Sequence, residues 1–202
     1  MSRGTSRSSS HILLIQGHPD PAGGHLCHAL ADAYLAGAQA AGHTVQVVTP
    51  ALLDFPLLAN GHEWEEGALP PALAPVQQAI TQAQHIALIY PLWLGDMPAR
   101  LKAFLEQVAR PGFALARKAK NPLHAGLLAG RSARVVVTMG MPALFYRWYY
   151  GAHSLKSLER NILNFVGIAP VRNTLVGGAG QMAEADVAAW RQRMQVLGAK
   201  GL

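Results

Sequence analysis

The chain has 202 residues, half of them hydrophobic, with 17 Lys and Arg against 11 Asp and Glu, a net charge of +6 and one cysteine. That length fits one domain with a real core, and a lone Cys27 excludes an internal disulfide or a thiolate metal cluster. No run approaches the roughly 20 apolar residues of a membrane span, and scattered basic residues without a recognition module argue against nucleic acid, so the positive excess suits small anions such as nucleotide phosphates.

Residues 1–10 are polar, lack the apolar centre of a signal peptide, and read as a flexible tail ahead of a single domain over 11–202, which implies a cytoplasmic chain. His11 to Gln16 is an apolar strand, and Leu26 to Ala41 is an Ala/Leu-rich helix closed by Gly42. Thr44 to Thr49 is a second strand. Pro50 to Pro71 reads as a Pro/Gly-rich loop and Ala72 to Ala83 as a helix. The third strand covers 85–90, and a helix follows Pro98, with Leu101, Phe104, Leu105 and Val108 at helical spacing. Asp96 is positioned to accept from that helix's free amides, with Pro98 in its first turn. Pro111 to Gly130 reads as an irregular basic connection, whose densest cluster is Arg117-Lys118-Ala119-Lys120. Arg134 to Thr138 and Val171 to Val176 are the last two strands. His153 to Phe165 and Asp186 to Leu197 are helices, the second amphipathic.

Apolar strands alternating with helices predict a parallel sheet covered on both faces: a three-layer α/β fold with five strands in the flavodoxin-like order 2-1-3-4-5. The loops after strands one, three and four then open at one edge. Gly17 to His25 supplies glycines and a helix start, an anion-binding combination in which His18 is an added donor. Pro91-Leu92-Trp93-Leu94-Gly95 supplies an aromatic ring and exposed backbone. Thr138-Met139-Gly140-Met141 supplies close backbone approach and polarizable sulfur. Each has a plainer explanation, as a turn or as a core tryptophan. Together they suit a flat, phosphorylated cofactor. Five aromatics within Phe145–Tyr150 are too many to face water, so they pack on a ligand, on a second subunit, or on both. His25 and His28 lack a third ligand at helical spacing, so no metal site is expected.

These residues, in order over roughly 11 to 175, resemble the NAD(P)H:quinone oxidoreductase family of flavodoxin-like flavoproteins, including the bacterial drug-activity-modulator type. The matching positions are His18-Pro19, Gly24-His25-Leu26, Pro91 to Gly95 with Met97-Pro98, and Lys102-Ala103-Phe104. They continue through Gly112-Phe113-Ala114, Leu127 to Arg131, Thr138-Met139-Gly140, Tyr146, Gly151-Ala152-His153 and Phe165-Val166-Gly167. The resemblance implies a non-covalent flavin (FAD, or alternatively FMN), NAD(P)H as electron donor, a quinone or related acceptor, and a homodimer. It implies phosphate and ribose contacts from His18, Leu26 and Cys27, a flavin ring flanked by Leu92 to Gly95 and Thr138 to Met141, and Tyr146 with His153 as a pair that handles charge on the reduced flavin. The chain departs from the pattern at Gly23-Gly24, where a Ser or Thr is common, and at Ala114 to Arg117, where some relatives carry tyrosines. The other functions weighed are a flavin-binding ancillary subunit, as of a potassium efflux system, and a one-electron flavodoxin, which the basic charge disfavours.

Overall fold

A computed structural model describes residues 9–118 and 126–202. Residues 1–8 of the expected tail, and 119–125 of the expected connection, lie outside the described residues. The strands are β1 (His11–Gln16), β2 (Thr44–Val48), β3 (His85–Pro91), β4 (Ser132–Thr138) and β5 (Val171–Val176). They form one parallel sheet in the order β2-β1-β3-β4-β5, as expected. β3 is buried along its whole length and β4 nearly so, because helices cover both faces.

On one face, α1 (Leu26–Ala40) and α7 (Glu184–Ala199) cover a core that includes Ile12, Leu14, Tyr34, Ala87, Ile89 and Val136. These two helices meet backbone to backbone. A Cβ on Gly198 would sit 2.1 Å from the Tyr34 carbonyl oxygen, and one on Gly37 would sit 2.1 Å from that of Gln195. α7 was expected to be amphipathic, yet only Met194 and Gly198 are fully buried. Close approach through small residues, rather than a broad apolar stripe, holds it in place.

On the other face, α3 (Ala74–Gln82) and α4 (Ala99–Val108) pack over the larger core around Leu88, Tyr90, Phe104 and Val135. The Pro50–Pro71 segment is more ordered than its composition predicts. It carries a short 3-10 turn at Pro50–Leu52 and the helix α2 (Gly61–Glu66), capped by the Asn60 side chain on the Glu63 amide. Its carbonyls are gripped by basic side chains of or next to α4: Arg100 donates to Pro50 and Leu53, and Arg110 to Glu63 and Gly67. The aromatic stretch, expected as a loop, folds as α5 (Ala143–Trp148). The predicted helix from His153 is α6 (His153–Ser157) continued by a wider π-helical turn over Leu158–Leu163, which lets Leu158 and Leu163 both face the core.

His85 at the start of β3 is buried, with Nδ1 bonded to the Ser132 hydroxyl at 2.8 Å. Burial, with Arg134, Arg172 and His43 nearby, pushes its pKa down to about 4. The unfolded chain takes up that proton near 6.5, so the unfolded state binds more protons between the two values and stability drops as pH falls through that window. The expected loss on going from pH 7 to pH 4 is on the order of 3 kcal/mol from this group. Urea denaturation of the wild type and His85→Gln at both pH values checks this: the variant should lose that share of the acid sensitivity, and an identical slope would contradict it.

Candidate functional site

Because all five strands point the same way, the loops after β1, β3, β4 and β5 converge at one edge of the sheet. The turn after β3 is a tight hairpin. Trp93 and Asp96 exchange backbone hydrogen bonds of 2.8 and 2.9 Å, and both central residues are left-handed, Leu94 at φ 47° and Gly95 at φ 82°. That is easy for glycine but costs leucine about 1–2 kcal/mol, and the Leu94 side chain stands fully in solvent. Asp96 does not cap the following helix. Its carboxylate accepts only from the Met97 amide, and Pro98 occupies the cap position itself. The turn has already consumed the Asp96 backbone, which leaves its side chain too short to reach further.

Leu92, Leu94 and Gly95 form one wall of a cleft of about 500 Å³, faced by Met139, Gly140 and Met141 and closed by Tyr146, Tyr150, His153 and Ser154. A Cβ on Gly95 or Gly140 would meet no atom within 4 Å, so both present bare backbone to open space. The amides of Leu94, Gly95, Gly140 and Met141 donate to none of the described residues. Behind the cleft, the loop after β5 props the loop after β4: Gly178 and Ala179 donate to the carbonyls of Met141 and Met139. The Gly177–Gly180 cluster is therefore a buttress. Tyr146 is buried, and its hydroxyl is fixed by the Ser154 hydroxyl at 2.7 Å and the Leu155 amide at 3.2 Å. His153 is exposed at the rim, its ring folded over Gly151. It lines the same cleft as Tyr146 without a hydrogen bond between them.

On the far side of the Trp93 turn lies the loop after β1. Here His18 is buried and stacks on His25 with ring centroids 4.0 Å apart; His28 is 5.0 Å away, and Trp93 meets His18 edge-on at 5.9 Å. His18 Nδ1 accepts from the Asp20 amide, and Asp20 pairs with His25 Nε2 at 2.8 Å. Burial, then the neighbouring His25 and His28, lower the pKa of His18, while the hydrogen bond from His25 lowers that of Asp20. Both ring nitrogens of His28 are enclosed without a partner. Gly23 and Gly24, at φ 85° and 79°, bring the chain into α1 with open space above them, and Leu26 begins that 15-residue helix. The amides of Leu26 and Cys27 donate to none of the described residues and form an anion-binding end.

Three expected contacts do not reach either space. Cys27 faces the core with its thiol against the Thr138 hydroxyl at 3.0 Å; burial pushes its pKa up to about 12, so it is neither a nucleophile nor a ligand contact. Thr138 is spent on that pair, and Pro91 is buried at the end of β3. Sequence reading paired His25 with His28 but missed His18 as the third imidazole, because the β1 turn, not helical spacing, brings it to them. It also missed Ser154 as the anchor of Tyr146. A planar ring with polar edges fits the cleft, because bare glycine backbone, thioether walls and unused amides are what such a ring requires. If the strained Leu94 is kept for the cleft, Leu94→Gly is expected to hold or raise stability by up to about 1 kcal/mol in urea denaturation while weakening ligand binding. A clear loss of stability would show that the residue is there for the fold.

A family model described as flavodoxin-like fold matches residues 10–197. An uncharacterized NAD(P)H oxidoreductase of Haemophilus influenzae is 33% identical over 55% of this chain, and the chain spans 54% of that relative, about half its length. An FMN-dependent NADH:quinone oxidoreductase of Ruegeria pomeroyi is 31% identical over 63% of this chain and 70% of its own. Among solved structures, an NAD(P)H:quinone oxidoreductase from Methanothermobacter marburgensis superposes with a TM-score of 0.79 at 24% identity, covering 96% of this chain and 97% of the other. With the family match running from β1 to α7, this chain belongs to the flavodoxin-like fold family.

Proposed function

We propose that the chain is a flavin-dependent NAD(P)H oxidoreductase that reduces a quinone or similar planar acceptor, with FMN as its flavin. The observation that carries this reading is the cleft between the β3 and β4 loops, with Gly95 in one wall, Gly140 in the facing wall, and free amides on both. The Ruegeria relative is named for FMN and for quinone, which supports FMN over the FAD preferred from Gly24-His25-Leu26 alone. When bound, the flavin supplies the hydride chemistry.

The chain's own residues supply position and charge. Met139 and Met141, with Leu92 in the facing wall, give the cleft a polarizable apolar lining. The amides of Gly140 and Met141 and of the Leu94–Gly95 turn are placed to hold the polar edge of a ring. Tyr146, locked by Ser154 and the Leu155 amide, keeps its phenol at a fixed depth. His153 stands at the mouth, where its imidazole faces a ring held in the cleft. The Gly23-Gly24 turn, the start of α1 and the His18–His25 stack would take the phosphate end, with amides doing what a hydroxyl does in relatives that carry Ser or Thr.

A titration of purified protein with FMN, followed by flavin fluorescence, tests the assignment: saturable quenching near one flavin per chain is expected, and no quenching with FMN or FAD would sink it. In stopped-flow reduction by NAD(P)H, His153→Gln is expected to slow the rate at least about tenfold with flavin affinity nearly unchanged, and Tyr146→Phe to slow it less. An unchanged rate in His153→Gln would return that residue to the helix surface. Brisk turnover with a simple quinone separates an enzyme from an ancillary subunit.

We also propose a homodimer through α5 and the residues just after it, where Leu144, Phe145, Trp148, Tyr149 and Tyr150 stand exposed, the Phe145 and Tyr149 rings stacked and Tyr150 edge-on to both. Tyr150 belongs both to this patch and to the cleft lining. An interface of roughly 1,600 Å² or more would cover the patch. Light scattering at micromolar concentration is expected to give twice the chain mass of 21.5 kDa, and a Trp148→Glu variant the single mass. A wild-type monomer would overturn this.

A further inference from the structure

The face of the sheet beneath α1 and α7 carries a second polar cluster, at the opposite end of the strands from the cleft. Strand alternation puts His85 of β3, Arg134 of β4, and Arg172 and Thr174 of β5 on this face, with Arg134 and Arg172 directly paired in register. Neighbouring strands are only about 4.8 Å apart, so two guanidinium-bearing chains start side by side. Arg193 joins them from α7, lying over the Trp190 ring at 5.0 Å. Among the described residues none of these three arginines pairs with a carboxylate. Arg134 is only 8% exposed, and its one hydrogen bond runs from Nη1 to the Thr174 hydroxyl at 2.9 Å.

The cluster is also short of acceptors. Arg134 Nε, Tyr34 Oη and His85 Nε2 are buried with no hydrogen-bond partner among the described residues, three donors or potential donors gathered on one side of the sheet. Each such group left unpaired costs about 1–3 kcal/mol, more when charged. Of the cluster, Arg193 also lines a cleft of about 540 Å³ between α7 and the loop at the carboxyl end of β5, together with Trp190, Gln181, Gly177 and Gly178 and with Asp186 as the carboxylate on its wall. A planar guanidinium fork beside hydroxyl and imidazole donors matches a tetrahedral oxyanion.

We propose that this chain binds an oxyanion of the phosphate class on the α1/α7 face of its sheet, held by Arg134, Arg172 and Arg193 with Tyr34 and His85 as further donors, separately from the flavin cleft. The anion neutralises the like-charged cluster and satisfies the enclosed donors. Free inorganic phosphate and the phosphate of a nucleotide share this chemistry. The ring of Trp190 beside Arg193 offers the second source a stacking surface.

The test is calorimetric titration of the FMN-loaded protein, freed of unbound FMN because FMN carries a phosphate of the same class, using inorganic phosphate, sulfate and adenosine 5′-monophosphate at constant ionic strength. Saturable binding is expected, weakened at least about tenfold in Arg134→Met and in the surface variant Arg193→Met, with flavin quenching unchanged in both. Equal affinity for inorganic phosphate and the nucleotide assigns a free-anion site, and tighter nucleotide binding that Trp190→Ala abolishes assigns a nucleotide. Absence of saturable binding in the wild type, or binding unaffected by Arg193→Met, overturns the proposal and leaves the donors to water. Because the flavin titration is read separately, failure of the anion site and failure of the flavin assignment are distinguishable.

Discussion

The hydrogen-bonded ladder of β3, clasped between β1 and β4, is the constraint on which the rest depends. Its residues pair with β1 from Ile12↔His85 to Gln16↔Ile89 and with β4 from His85↔Ser132 to Pro91↔Thr138. Being central and buried on both faces, it cannot slip by one residue without turning Leu88 and Tyr90 into the opposite layer. The ladder continues past the strand: the Leu92 amide donates to Thr138, and Gly17 donates to Ile89. The loops of β1, β3 and β4 are therefore anchored within a residue or two of a rigid element. The turn at Leu94 can then hold a backbone geometry that leucine alone would avoid.

What was readable in the sequence follows from the same constraint. Strands covered on both faces must be continuous apolar runs, so β1 was legible to the residue and β3 to within one, while the more exposed edge strands β5 and β2 were placed to the residue and to within one by their position in the alternation with helices. The strand order followed from the alternation of elements. Segments stabilised by side chains from elsewhere were not legible. The 50–71 stretch looks like a loop because Arg100 and Arg110, which satisfy its carbonyls, lie some fifty residues away. The aromatic stretch was seen as too apolar for water but not as a helix, because its pattern signals a surface rather than an amphipathic element.

The site divides in the same way. Leu92, Gly95, Met139, Gly140, Met141, Tyr146 and His153 meet in one cleft because each sits within a short distance of a strand end or on the short helices that follow β4. Cys27 and Thr138 come from equally well-placed segments but face inward, since a helix or strand residue next to a loop alternates between layer and mouth. The three-imidazole cluster depended on the path of the nine-residue loop 17–25, which no periodicity encodes.

The two ends of the sheet solve opposite electrostatic problems. At the carboxyl edge, free amides and the start of α1 gather positive potential from dipoles without buried full charges. Beneath α1 and α7, full charges sit close together, and Arg134 is lowered from its ordinary pKa by burial and by Arg172 and Arg193, with Tyr34 alone acting in the other direction. A fold could relieve that strain by replacing Arg134 with an aliphatic residue, as its neighbours Val135, Val136 and Val137 show the strand accepts. Retaining a guanidinium there, beside an alanine on β3 and opposite another arginine on β5, is costly for the fold alone. A negative partner removes the cost, and Arg193, shared between this cluster and the open cleft along α7, gives that partner a way in.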